Sequence, residues 1–174
     1  MPLQPGYGET PPSGDELDAL LPHVVDTLGQ PVSKADIFDL ESAVLQDVAE
    51  GLITYVFNGD LTLDELLTDQ FLRDLHRQLY GDIWTWAGRW RSRDVNIGVA
   101  PEQIAVDLRT TMDNIRCRWG NTRDWTAREL GIATHAEGVR VHPFADGTDG
   151  RPGYTPTWYS SPPKIPPPIS TTGT

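Results

Sequence analysis

The chain has 174 residues, enough for one domain with a hydrophobic core, and its formal net charge of −11 excludes general nucleic-acid binding, which needs a basic footprint. Its only cysteine, Cys117, excludes a disulfide framework and a thiolate metal site and points to an intracellular compartment. No apolar run approaches the roughly 20 residues that cross a bilayer, and no basic stretch leads into an apolar core at the start, so a soluble, cytoplasmic protein with no membrane and no nucleic-acid partner is expected.

Met1 to Gly14 is rich in Pro and Gly and reads as an extended arm. Asp15 caps a short helix over Glu16–Leu21, ended by Pro22. Ser33 or Asp36 opens the next helix, where Ile37, Leu40, Val44, Leu45, Val48 and Leu52 recur at three- and four-residue steps and so define one apolar face. Asn58-Gly59-Asp60 breaks it. Thr62 begins another helix, whose apolar pattern runs through Leu63, Leu66, Leu67, Phe71, Leu72, Leu75 and Leu79 to Gly81. Trp84, Trp86 and Trp90 follow within seven residues and read most simply as packing residues, because indoles bury large apolar areas. Val95-Asn96-Ile97-Gly98-Val99 has the composition of a strand or hairpin arm, closed by Pro101. Glu102 to Cys117 and Trp125 to His135 read as two further helices. From Pro152 onward, proline is too dense for helix, and the plain reading is a polyproline or disordered tail.

The segment with most chemistry in it is His142-Pro143-Phe144-Ala145-Asp146-Gly147. It resembles the opening of the Fic family signature, His-Pro-Phe-x-Asp/Glu-Gly-Asn-Gly-Arg with a second Arg three residues on. The likeness extends upstream: Phe71 to Gly88 is similar to the family's helix leading into its flap. Arg89 to Val99 is similar to the flap hairpin, and Ala100 to Ile104 to the start of the helix after it. Gly8-Glu9-Thr10-Pro11 and Asp15-Glu16-Leu17 resemble the arm of Fic proteins associated with bacterial mobile elements. The resemblance implies a mostly α fold, a Fic-type helical bundle with a small β-hairpin flap. It implies a protein adenylyltransferase that moves AMP from ATP to a Ser, Thr or Tyr hydroxyl of a protein substrate, within a toxin-antitoxin setting that allows a separate antitoxin.

By the same resemblance His142 is the general base, suited to the task because imidazole exchanges protons near neutral pH. Phe144 anchors the loop in the core. Asp146 binds the magnesium ion (Mg²⁺) that bridges the nucleotide phosphates, as a hard carboxylate does. Gly147 opens a phosphate nest at a helix N-terminus. Here the sequence departs from the family: Thr148 and Asp149 stand at the Asn and Gly positions, and an anionic Asp149 repels polyphosphate. A one-residue insertion would place Gly150 and Arg151 as the final Gly-Arg pair for ATP, but Pro152 follows and the cradling helix cannot be built.

A shifted reading frame accounts for the break. Joining the third base of each codon to the first two of the next makes Gly147 into Thr148 xAC, which permits Asn; Thr148 into Asp149 is xGA, which permits Gly; Asp149 into Gly150 gives Arg or Trp. Pro152 into Gly153 is xGG, which permits Arg at the family's spacing, and Trp158 into Tyr159 forces Val. The permitted string after Gly147 is Asn-Gly-Arg-Thr-Ala-Arg-Leu-His-Ala-Asp-Leu-Val-Leu-Val-Ala-Ala-Gln: the full signature, then a helical apolar pattern. A one-base deletion near Gly147 is inferred, with the Pro-rich tail out of frame.

The expected organisation is an arm and short helix over 1–32, an incomplete Fic-like domain over 33–151 whose C-terminal motif helix is missing, and a disordered tail over 152–174. His135, Glu137, His142 and Asp146 do not have the spacing of a closed zinc site. Gln46-x-x-x-Glu50-Gly51 approaches the family's inhibitory helix pattern, but Gln46 stands where that pattern has Ser or Thr, so a solvated helix face is expected. Four functions stay open: an impaired adenylyltransferase, a Doc-like protein kinase, an inactive remnant and a partner-binding module.

Overall fold

The protein is represented by a computed structural model that describes residue 12 and residues 14–145. Seven α-helices occur among them: α1 (Gly14–Ala19), α2 (Pro22–Leu28), α3 (Lys34–Asn58), α4 (Leu63–Leu66), α5 (Asp69–Tyr80), α6 (Ile104–Asn121) and α7 (Ala127–Val141), with a 3₁₀ turn at Pro101–Gln103 before α6. The mostly α expectation holds.

Helix starts follow local chemistry. Ser33 caps α3 reciprocally: its amide and hydroxyl donate to the Asp36 carboxylate at 2.9 and 2.6 Å, and its hydroxyl accepts from the Asp36 amide at 3.2 Å. Thr62 with Glu65, and Thr126 with Glu129, repeat this capping box on α4 and α7, each pair satisfying donors that a helix N-terminus would otherwise leave bare. The Ser33 hydroxyl, then its amide, hold the Asp36 carboxyl below its ordinary pKa, and those of Thr62 do the same for Glu65.

Four boundaries differ from the sequence reading. Pro22 does not merely end a helix; it begins α2, where its missing N–H costs nothing. The break between α1 and α2 comes from tertiary pairing: the Leu21 amide donates to the Ile83 carbonyl and the Thr85 amide to the Ala19 carbonyl, both at 2.9 Å. The single helix expected from Thr62 to Gly81 divides at Leu67, because the Thr68 hydroxyl donates to the Glu65 carbonyl at 2.8 Å while accepting from the Phe71 amide at 3.0 Å, capping a new helix. The α6 helix continues past Cys117 to Asn121. Finally, α7 runs past His135 to Val141, absorbing Gly138, and so carries His142 on its C-terminal end.

The expected flap hairpin is a correction. Among the described residues, 89–99 form no strand; they make one isolated antiparallel bridge, Trp90 with Phe144. A hairpin needs its two arms to bond each other, whereas here the Arg91 amide donates to the Pro143 carbonyl and the Val99 amide to the Val141 carbonyl, at 2.9 and 3.3 Å. Backbone groups of both arms are spent on the end of α7 and the motif loop.

Burial falls into two clusters. Leu20, Val24, Val32, Ile37, Ile83 and Trp84 pack α1, α2 and the start of α3 against the Trp-rich segment. The Lys34 ammonium meets the buried Glu16 carboxylate at 3.2 Å, and the Trp84 indole donates to Glu41 at 2.8 Å, tying these pieces together. Leu67, Ile104, Leu108, Met112, Ile115, Leu130 and Val141 form the second cluster, chiefly between α6 and α7. On the periodic face read on α3, Ile37 is buried, Leu40, Val44, Val48 and Leu52 are half-buried and Leu45 is exposed, while Ile53, Val56 and Phe57, which are not part of that face, are exposed, Phe57 at 83%. Leu108 sits in the second cluster with no exposed surface, so Leu108→Ala is expected to cost about 2–5 kcal/mol, while Val106→Ala on the exposed face of the same helix stays within about 0.5 kcal/mol; urea unfolding of the two variants checks this.

Candidate active site

The motif loop starts where α7 stops. His142 is the residue that ends the helix, in the left-handed region at φ 49° and ψ 64°, with its amide still donating to the Gly138 carbonyl at 3.0 Å. A non-glycine residue rarely holds this conformation, although His tolerates it better than most. Pro143 immediately follows, and the stored strain is on the order of 1–3 kcal/mol, so the surroundings must enforce the turn.

Arg91 enforces it. Its guanidinium is buried, and Nε donates to the His142 carbonyl at 2.7 Å, Nη1 to the Arg93 carbonyl at 2.8 Å and Nη2 to the Val99 carbonyl. Three carbonyl dipoles thus take the place of water around the cation, which is the condition for burying a charge at tolerable cost. Gly98, at φ 93°, lets the far arm of the segment close on the same turn. A Cβ there would lie 2.7 Å from the His142 Cβ and 2.8 Å from the Val141 carbonyl oxygen, so no other residue fits. His142 itself is buried, at 5% exposure.

Phe144 is held from two sides. Its ring stacks on His76 of α5 with centroids 3.7 Å apart and 17° between planes, and meets Trp90 at 4.9 Å. His76 is fixed in turn, because its Nδ1 accepts from the Gly88 amide at 3.0 Å, which requires the neutral ring with its proton on Nε2. Gly88, at φ 70°, is pressed against Arg77 and the Arg73 carbonyl, and Arg73 lies over the Trp90 ring at 5.2 Å. The Trp run therefore does more than fill volume: it carries α5 chemistry to the motif loop. Its indoles also pack on one another, Trp84 on Trp86 at 5.3 Å, consistent with the packing role expected for them.

Of the residues singled out in the sequence, the structure places His142, with Pro143 and Phe144, at the meeting point of α5, α7 and the 89–99 segment. Asp146, Gly147, Gly150 and Arg151 lie outside the described residues. Glu137 is engaged with Arg140 at 2.6 Å on the solvent side of α7, and Gln46 donates to Glu50 at 3.1 Å on an exposed face of α3. Arg91 and His76 were not recognised as site residues. His76 had a signal, a lone imidazole among the apolar positions of α5, but nothing in sequence distinguishes Arg91 from its neighbours Arg89 and Arg93.

Residues 66–149 match the family model described as Fic/DOC family. The chain carries a Fic/DOC family domain. The matched segment begins at the end of α4, includes α5, the Trp-rich segment, α6 and α7, and takes in Asp146 and Gly147 but stops short of Gly150 and Arg151. No curated protein and no solved structure matches the chain. No helix among the described residues is long and apolar enough to cross a membrane.

Burial pushes the His76 pKa down from its ordinary value near 6.5 to about 3. Between those pH values the unfolded chain binds a proton that the folded Fic/DOC domain refuses, so stability is full above about pH 6.5 and falls as pH drops towards about 3. From pH 6.5 to 5, before carboxylates titrate appreciably, the loss approaches about 1.4 kcal/mol per pH unit. His76→Gln, which removes the titrating ring, is expected to flatten this part of the stability profile measured by denaturant unfolding at each pH.

Proposed function

We propose that this chain descends from a Fic-type protein adenylyltransferase and is impaired as its sequence stands. The observation that supports this reading is His142 in a left-handed turn, pinned by Arg91 at the end of α7, inside the Fic/DOC segment. In the intact reaction a Ser, Thr or Tyr hydroxyl of a target protein attacks the α-phosphorus of ATP. The new bond joins the hydroxyl oxygen to AMP, the α–β phosphoanhydride bond breaks, pyrophosphate leaves, and His142 takes the hydroxyl proton. Arg91 would hold the imidazole-bearing backbone in place through that transfer. The Asp146 carboxylate suits a hard cation such as Mg²⁺, which would neutralise phosphate charge when bound.

The residues after Gly147 do not fit a polyphosphate. Asp149 brings a like charge, Pro152 lacks an amide hydrogen, and the two clamp arginines of the signature are not at their spacing. Each charge-assisted bond lost is worth about 1.5–3 kcal/mol. The 174-residue chain is therefore expected to bind ATP with Mg²⁺ more weakly than micromolar affinity, as calorimetry would read. In this proposal residues 33–151 form the incomplete domain and 152–174 an out-of-frame tail, the gene or its reading having lost one base near Gly147.

Inserting one base after codon 147 restores Asn-Gly-Arg-x-x-Arg and the apolar stretch behind it. The repaired protein is expected to label itself or a host protein with AMP from ATP and Mg²⁺, and His142→Ala in the repaired protein to abolish that labelling by removing the base. Labelling from α-³²P-ATP checks the transfer; label arriving only from γ-³²P-ATP would favour the Doc-like kinase, and a folded, repaired chain with neither activity would overturn the proposal.

A further inference from the structure

Between α5 and α7 lies an open, apolar groove of about 470 Å³. Small-molecule sites span roughly 300–1,000 Å³. Phe71, Leu75 and Leu79 line the groove from α5, and Leu130 and Gly131 from α7. No Asp, Glu, Lys or Arg lines it, so no carboxylate, ammonium or guanidinium is there to offset an ionic charge taken out of water. Into this setting His76 brings a hydrogen-bond donor. Its Nδ1 accepts from the Gly88 amide, which leaves Nε2–H as the donor, and no described residue accepts from it. Among the described residues, only the Trp86 indole N–H is both buried and unpartnered. The His76 Nε2–H therefore meets open space, and the open space that His76 lines is this groove. The Thr134 hydroxyl, also in the lining, is already spent on the Leu130 carbonyl at 2.9 Å.

We propose that the groove is a binding site for a neutral, apolar small molecule carrying one hydrogen-bond acceptor, such as a medium-chain ketone or ester, with the acceptor on the His76 Nε2–H. The uncharged walls select neutrality, and the chain's net charge of −11 repels an anion further. The donor selects the acceptor. At 7% exposure His76 has little hydration left to lose on pairing, whereas a plain hydrocarbon would seal its N–H without a partner, which is costly. From Phe71 to Tyr80 the α5 wall runs about 13 Å at 1.5 Å per residue, room for a medium-length alkyl chain. Gly131 and Gly138 keep the α7 wall bare, since a Cβ at either would meet nothing within 4 Å. The inference rests on the groove and His76 and is independent of whether the repaired protein transfers AMP.

The test titrates the full 174-residue chain into dilute Nile red, a neutral dye with a carbonyl acceptor whose emission rises in apolar surroundings. A Kd on the order of 10 μM is expected, as drug-sized ligands reach. The ketone 2-nonanone is expected to displace the dye, and nonanoate, its anionic counterpart of equal chain length, to need at least about tenfold more. In ¹⁵N-labelled chain the His76 Nε2 resonance is expected to shift as 2-nonanone binds. Gly131→Leu and Gly138→Leu each add a side chain to the groove wall where a Cβ meets no neighbour, so both variants are expected to keep their far-UV circular dichroism and to lose dye affinity at least about tenfold. Absence of dye binding overturns the proposal, as do displacement by nonanoate equal to that by 2-nonanone, an unmoved Nε2 resonance, and undiminished affinity in both folded variants. A dimer in sedimentation that both variants dissociate would assign the groove to a second copy and overturn it as well.

Discussion

Arg91 donates from a buried position to the carbonyls of His142, Arg93 and Val99, and that three-way contact is the constraint through which the motif loop, the end of α7 and the Trp-rich segment become one structure. Each partner alone is unfavourable. A left-handed histidine before proline is strained, a buried guanidinium is poorly solvated, and carbonyls in an irregular segment want donors. Brought together, they satisfy one another. Arg is suited to this because its planar fork offers donors in fixed directions, which the single flexible ammonium of Lys cannot reproduce.

A second line of contacts sets the other side of the loop. His76 receives the Gly88 amide through Nδ1 and stacks Phe144 on its ring, so α5 positions the motif through Phe144. Burial keeps that imidazole neutral, and neutrality is what allows Nδ1 to accept. The two histidines of the site thus have opposite duties. One is proposed to move a proton; the other holds its geometry by refusing one.

The helices divide the work of stability unevenly. The α6–α7 side closes over Ile104, Leu108 and Val141 with no surface left exposed, whereas the α5–α7 side stays open over a groove lined by Phe71, Leu75 and Leu130. Sealing apolar surface of this kind is worth about 25 cal/mol per Å².

The sequence by itself located α3, α6 and α7, the start of α4 and the motif, since these depend on neighbours along the chain. Ser33 with Asp36, Thr62 with Glu65 and Thr126 with Glu129 write helix starts in three-residue code, and apolar steps of three and four name the packing faces. The His-Pro-Phe motif and its broken continuation were legible for the same reason. Pro22 marked a break after the first helix, but that α1 stops already at Ala19 was decided by tertiary structure, because Ala19 and Leu21 bond residues 83–85, far off in sequence. It also turned the expected hairpin into a segment bound to the motif loop. Strand composition at Val95 to Val99 specifies extended backbone but not its partner, and here the partner is Val141 rather than the opposite arm. The role of Arg91 was hidden likewise, for three arginines alternate at 89, 91 and 93 and only the fold selects the one whose guanidinium reaches the His142 carbonyl.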